Sequence, residues 1–188
     1  MIVSTLITLA AVLQLGSCVN LCTFPVGVSP GCDLSQSYIC CNNISEDSCC
    51  GFDNSDGHNT GLGGSVLTEN LPTSGSEVPA AETNIYSDTC NNAIGRITYS
   101  GCLTFSGGNR AASAGWFYLN NRRRSLSNAR DTNDTLQTNC QVPNMASYTT
   151  KDGIQRRIAI PEGHYDDVLE GVLSNNYTFL DTYPKYAD

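Results

Sequence analysis

Ten cysteines carry most of the chemistry open to this 188-residue chain, and seven of them fall between Cys18 and Cys50. Clustered cysteine sulfur pairs as disulfides, or else serves a metal or redox site. Zinc sites draw their ligands from CxxC-type knuckles with a second knuckle or histidines close by. The run CVNLCTFPVGVSPGCDLSQSYICCNNISEDSCC contains no CxxC, and no histidine precedes His58. A disulfide framework is therefore expected, built from Cys18, Cys22, Cys32, Cys40, Cys41, Cys49, Cys50, Cys90, Cys102 and Cys140, with no metal and no cofactor. The adjacent pairs Cys40-Cys41 and Cys49-Cys50 should not bond internally. Neighbouring side chains in an extended strand point to opposite faces, so each pair can tie its strand to two different neighbours. Spacing alone leaves the connectivity open. Cys90, Cys102 and Cys140 are odd in number, so at least one must reach the front cluster or another chain, and a single bridge between the two regions is expected.

Other candidate catalytic groups are sparse. Gly27-Val28-Ser29-Pro30-Gly31 fits the G-x-S-x-G nucleophile elbow. The residue after such a serine must donate its backbone N–H to an oxyanion, and Pro30 has none, so this is a turn. His164 has Asp166, Asp167 and Glu170 nearby and could act as a base or a ligand, but a surface histidine beside solvated acids is the plainer reading. Acids are numerous enough for a paired-carboxylate hydrolase. Arg122-Arg123-Arg124-Ser125 fits a kexin-type processing site cut after Arg124, and Arg156-Arg157 a second cut after Arg157; the plainer reading is a basic loop. Trp116 and Tyr118, at strand spacing, and Tyr183 and Tyr186 near the end offer an aromatic binding surface, with burial in the core as the competing use.

These groups need elements to position them. Residues 1–17, MIVSTLITLAAVLQLGS, are uncharged with an apolar core and read as a secretory leader. Cleavage after Ser17 would leave all ten cysteines in the mature chain. Export fits an oxidising compartment and gives meaning to the sequons at Asn43, Asn133 and Asn176. No second apolar span follows, so no membrane association is expected after leader removal. The formal charge of −8 disfavours a nucleic-acid partner. Residues 18–52 form the cysteine-rich segment. With few large apolar side chains, this segment should depend on its staples and unfold first on reduction. Residues 53–63 are a Gly/Asn-rich linker.

Residues 64–150 show short alternating strands in SVLTENL, ETNIYSD, GRITYSG, CLTFSG and GWFYLN. Residues 151–188 hold an edge strand, IQRRIAIP, and one amphipathic helix from His164 to Ser174. Its stripe is Tyr165, Val168, Leu169, Val172 and Leu173, and Asn175-Asn176 should stop it. The fold class expected is mainly β: a disulfide-stapled N-terminal segment, a small antiparallel sandwich or Greek-key region, and one short C-terminal helix.

The paired CC…CC cluster, Asn84-Ile85-Tyr86-Ser87-Asp88-Thr89-Cys90 and GGNRAASAGW resemble the small secreted cysteine-rich proteins of fungi, many of them effector-like. The loop Gly108–Ser113 weakly resembles that of a βγ-crystallin Greek key, but lacks the first Asn/Asp and the fifth Ser/Thr needed for calcium. The function expected is that of a secreted, non-enzymatic binding protein engaging an extracellular protein or polysaccharide. The alternatives are an extracellular hydrolase with dispersed Asp and Glu, and a precursor processed at its dibasic sites.

Overall fold

Val19–Pro25 (β1) is buried along its length except at Asn20. A strand with no wet face must be central in its sheet and covered on both sides. Its neighbours are Tyr38–Ile44 (β2) on one edge and Gly63–Glu69 (β4) on the other, both antiparallel. The computed structural model describes residues 18–25, 31–52, 63–75, 80–106, 110–119 and 140–187. The leader, the Gly27–Pro30 turn, linker residues 53–62 with His58, Gly108 and Asn109 of the crystallin-like loop, Arg122–Arg124 and Asn133 lie outside the described residues.

The first sheet is completed by Gly101–Thr104 (β7), Met145–Thr149 (β10) and Gln155–Ala159 (β11), in the order β11-β10-β2-β1-β4-β7. The second contains Cys49–Gly51 (β3), Ala81–Tyr86 (β5), Ala93–Ile97 (β6), Ser113–Tyr118 (β8) and Cys140–Gln141 (β9), in the order β6-β5-β8-β3-β9. Only β3 and β9 pair in parallel among the described strands. The fold is mainly β, as the strand pattern predicts. The IQRRIAIP segment is indeed an edge strand.

Alternation divides the apolar residues between faces. Leu21, Cys41 and Val66 join Ile85, Ala114 and Trp116 of the second sheet in one core, while Cys22, Phe24, Tyr38 and Cys40 form a smaller cluster with Met145. Trp116 is 2 % exposed, and its Nε1–H donates to Ile44 O at 2.9 Å. It therefore belongs to the core and not to a binding surface. β8 is flanked by β5 and β3, and Trp116 faces the shared core. Tyr118 is half-buried beside it, edge to face at 5.4 Å.

Tyr165–Leu173 (α1) buries Tyr165, Val168, Leu169 and Val172 against Ile39, Tyr148 and Ile158. Leu173, eight residues along the stripe, has drifted to its margin and is exposed. Asp166 and Asp167 occupy the first turn, where the helix dipole favours them. Asn175 at φ 55° ends the helix in the left-handed conformation. Asn176 then caps a second, four-residue helix, Tyr177–Leu180 (α2), which the sequence pattern did not predict. Gly171 makes this packing fit: a Cβ there would stand 2.8 Å from Leu180 Cδ2. A residue that weakens the isolated helix is needed for the close approach of α2.

Candidate functional site

The cysteines set the frame. Cys40 bonds Cys22 and Cys41 bonds Cys50, while Cys49 bonds Cys90. Each vicinal pair thus reaches two different partners, as opposite-facing side chains require. Cys32 bonds Cys102 on β7. Two bridges, not the single one expected, therefore join the front segment to the middle of the chain. Both strand edges of the front segment were already committed to later strands, so its cysteines face later residues across the sheets. Cys18 and Cys140 are exposed and stand outside these four bridges.

A polar cleft of about 260 Å³ opens over the Cys22–Cys40 bridge. Asn20, Tyr38, Asn42, Glu69, Arg157 and Tyr186 line it, and Asn43 lies on its lip. The first sheet brings these residues together: β2, β1 and β4 are adjacent, and β11 carries Arg157 at the edge. Asn20 Nδ2 donates to Glu69 Oε2 at 3.2 Å, and Asn20 Oδ1 accepts from the Asn43 N–H at 3.1 Å. The tail is fixed along β11, where Tyr186 N–H donates to Arg157 O at 3.0 Å. Amide residues, one acid and one arginine thus share the lining with two tyrosines. Such a lining can hold a hydroxyl-rich ligand in several directions at once.

Besides the bridged Cys22 and Cys40, three residues singled out from sequence, Asn43, Arg157 and Tyr186, meet here. The others do not. Arg157 pairs with Ser147 across β10 and accepts from the tail, so cleavage after it would require this edge to unfold first. Tyr183 packs against Phe179 at 5.4 Å, on the helical cluster. His164 Nδ1 stands 3.5 Å from Asp167 Oδ2, with both side chains exposed, an arrangement of little energetic weight. Asn176 is exposed at the α2 cap, with Oδ1 accepting from Phe179 N–H; a glycan on Nδ2 would leave that bond intact. Sequence reading missed Asn20, Glu69 and the buried Tyr38. Nothing local marks them, because their neighbours are set by strand order.

A second polar group lies under α2. Tyr148 Oη–H donates to Asp181 Oδ1 at 2.6 Å, which also meets Arg156 Nη1 at 2.6 Å. Burial, then the hydrogen bond to Asp181, holds the Tyr148 phenol above the usual tyrosine range. The Tyr148 hydrogen bond, assisted by Arg156, holds the Asp181 carboxyl below the usual range. The lowered carboxyl contributes stability present above about pH 4 and lost as pH falls through its folded value. The raised phenol contributes stability present below about pH 10 and lost as pH rises toward its folded value. Denaturant unfolding across pH should show both limbs. Asp181→Asn should remove the acid limb and shrink the alkaline one, and Tyr148→Phe should remove the alkaline limb and shrink the acid one, since each group shifts the other.

One comparison with known proteins bears on this frame. The family model described as "ARB_05566_N: N-terminal domain" matches residues 22–144, from the first bridged cysteine to the start of β10. The chain belongs to this family. The match takes in all four bridges and every strand from β2 to β9, so the disulfide frame and the whole second sheet fall within it, while β10 and β11 of the first sheet lie beyond it. Arg157 and Tyr186 of the cleft fall beyond it. No curated protein and no solved structure matches.

Proposed function

We propose that this protein is exported and acts outside the cell by binding, with the polar cleft holding a segment of polysaccharide. It would then be a small secreted cysteine-rich protein of the kind fungi export. The observation that carries this reading is the cleft lining itself. Asn20, Asn42, Glu69, Arg157 and Tyr186 share one lining. Hydroxyl-rich chains are recognised by such groups beside an aromatic face. The shallow, polar surface offers little burial to an apolar ligand. Glycosidic cleavage by paired carboxylates needs two flanking acids, and Glu69 is the one acid among the described lining residues. This favours holding over cutting. Four disulfides suit an oxidising compartment, and residues 1–17 would supply the export signal.

The test is retention of the oxidised protein on insoluble chitin, β-glucan, cellulose and mannan. Retention on at least one is expected, with no soluble sugar released. Tyr186→Ala should weaken that retention about tenfold, equivalent to roughly 1.4 kcal/mol. Failure to bind any of the four, or release of sugar, would overturn the reading.

A further inference from the structure

Tyr38 lines the polar cleft although it is only 3 % exposed. Its ring packs on Phe24, with centroids 5.2 Å apart. Its hydroxyl has no hydrogen-bond partner among the described residues. Ser147 lies opposite Tyr38 on β10, but the two do not satisfy each other, since the Ser147 Oγ is sealed from solvent and makes no hydrogen bond. The Tyr38 hydroxyl is not sealed in this way, and the surface it reaches is the cleft. Buried polar groups are ordinarily satisfied, and one left without a partner destabilises a fold. A phenylalanine would pack the same ring on Phe24 without that cost.

The surroundings of this hydroxyl are otherwise apolar. Tyr38, Cys40 and Asn42 take alternate positions on β2, and all three line the cleft. Cys40 carries the bridge to Cys22, and Met145 lies opposite Cys40 on β10. These side chains form one buried cluster with Tyr38 and Phe24. The lining therefore changes along the strands, from the amide residues Asn20 and Asn42 to sulfur and alkyl surface with a single hydroxyl. A sugar hydroxyl brought to this second half would lose hydrogen bonds to water that disulfide and thioether sulfur replace poorly. An acetyl substituent loses less. Its methyl needs only contact, and its carbonyl needs one donor.

We propose that the Tyr38 half of the cleft takes the acetyl group of an acetylated sugar, an inference that rests on the cleft holding a saccharide. Tyr38 Oη–H donates to the acetyl carbonyl, and the methyl lies against the Cys22–Cys40 bridge and Met145. The amide half holds hydroxyls of the same chain. N-acetylated and O-acetylated sugars share this chemistry. Tyr38 is then the residue that selects among polysaccharides, whereas Asn20, Asn42 and Glu69 suit any hydroxyl-rich chain.

Calorimetric titration of the oxidised protein with matched tetrasaccharides tests this. N-acetylated chitotetraose is paired with cellotetraose, which has hydroxyls in place of the acetamido groups on the same backbone. O-acetylated mannotetraose is paired with plain mannotetraose. In at least one pair the acetylated member is expected to bind roughly tenfold more tightly. A preference in the first pair alone assigns the N-acetyl sugar, and in the second alone the O-acetyl sugar. Tyr38→Phe should cut the preference about fivefold without weakening the plain member, and should unfold in urea at the wild-type midpoint or above it. Equal affinities within both pairs, or a preference that survives Tyr38→Phe, overturn the acetyl proposal and leave the cleft reading standing. A lower urea midpoint would show the hydroxyl bonded within the fold and overturn it too. Binding of none of the four also overturns it, and retention on the insoluble polysaccharides then decides the cleft reading separately.

Discussion

Reducing the four bridges in native buffer is expected to remove hydrogen-exchange protection from the front segment and the central strands together. The thin set of apolar side chains in residues 18–52 predicts a segment that melts alone. The structure distributes that segment through both sheets instead. β1 is held between β2 and β4, β3 between β8 and β9, and Val19, Leu21 and Ile44 share a core with Ile85 and Trp116. Opening β1 or β2 would expose the same apolar surface that β5 and β8 bury. Two of the four bridges cross between early and later strands, Cys32–Cys102 and Cys49–Cys90. With each bridge worth about 2–4 kcal/mol, their combined loss approaches or exceeds the whole stability of a typical domain. Protection should vanish in step at Leu21, Cys41, Ile85 and Trp116. Loss at Leu21 and Cys41 with full retention at Ile85 and Trp116 would show that the sheets are separate units.

Trp116→Ala should be the most damaging single core substitution in the second sheet, lowering the unfolding free energy by about 3–5 kcal/mol. The indole is 2 % exposed and packs edge to face on Tyr118 at 5.4 Å. Its N–H satisfies Ile44 O, at the end of β2, so the side chain joins the two sheets by packing and by a hydrogen bond. Trp116→Phe keeps an aromatic ring but leaves that carbonyl without its donor, which should cost about 1–3 kcal/mol. Urea titrations of the three proteins check both figures. A loss below about 1 kcal/mol for Trp116→Ala would place the indole outside the cooperative core.

The difference between the two accounts of the front segment has a physical origin. Alternation is visible where one face is wet, as in β7, and there the strand overlaps the CLTFSG pattern. In NLCTFP and YICCNNI both faces are covered, cysteines occupy inward positions on either side, and no period of two survives. Tyr99 illustrates the opposite failure. It sits two residues from Ile97, but β6 ends at Ile97 and Tyr99 is 63 % exposed. The α1 stripe was legible because helical neighbours are local. The cleft was not, since Asn20, Glu69 and Arg157 meet only through the order of strands in the first sheet. Disulfide partners are undetermined by sequence for the same reason.

The claim that the cleft holds a polysaccharide without cutting it is most directly tested by an NMR titration. The ligand is a soluble oligosaccharide of whichever polysaccharide retains the protein. Shift changes are expected to concentrate at Asn20, Asn42, Glu69, Arg157 and Tyr186, with the oligosaccharide recovered at its original length. Changes centred instead on the Tyr148, Arg156 and Asp181 group under α2, or recovery of shortened sugar, would contradict the account.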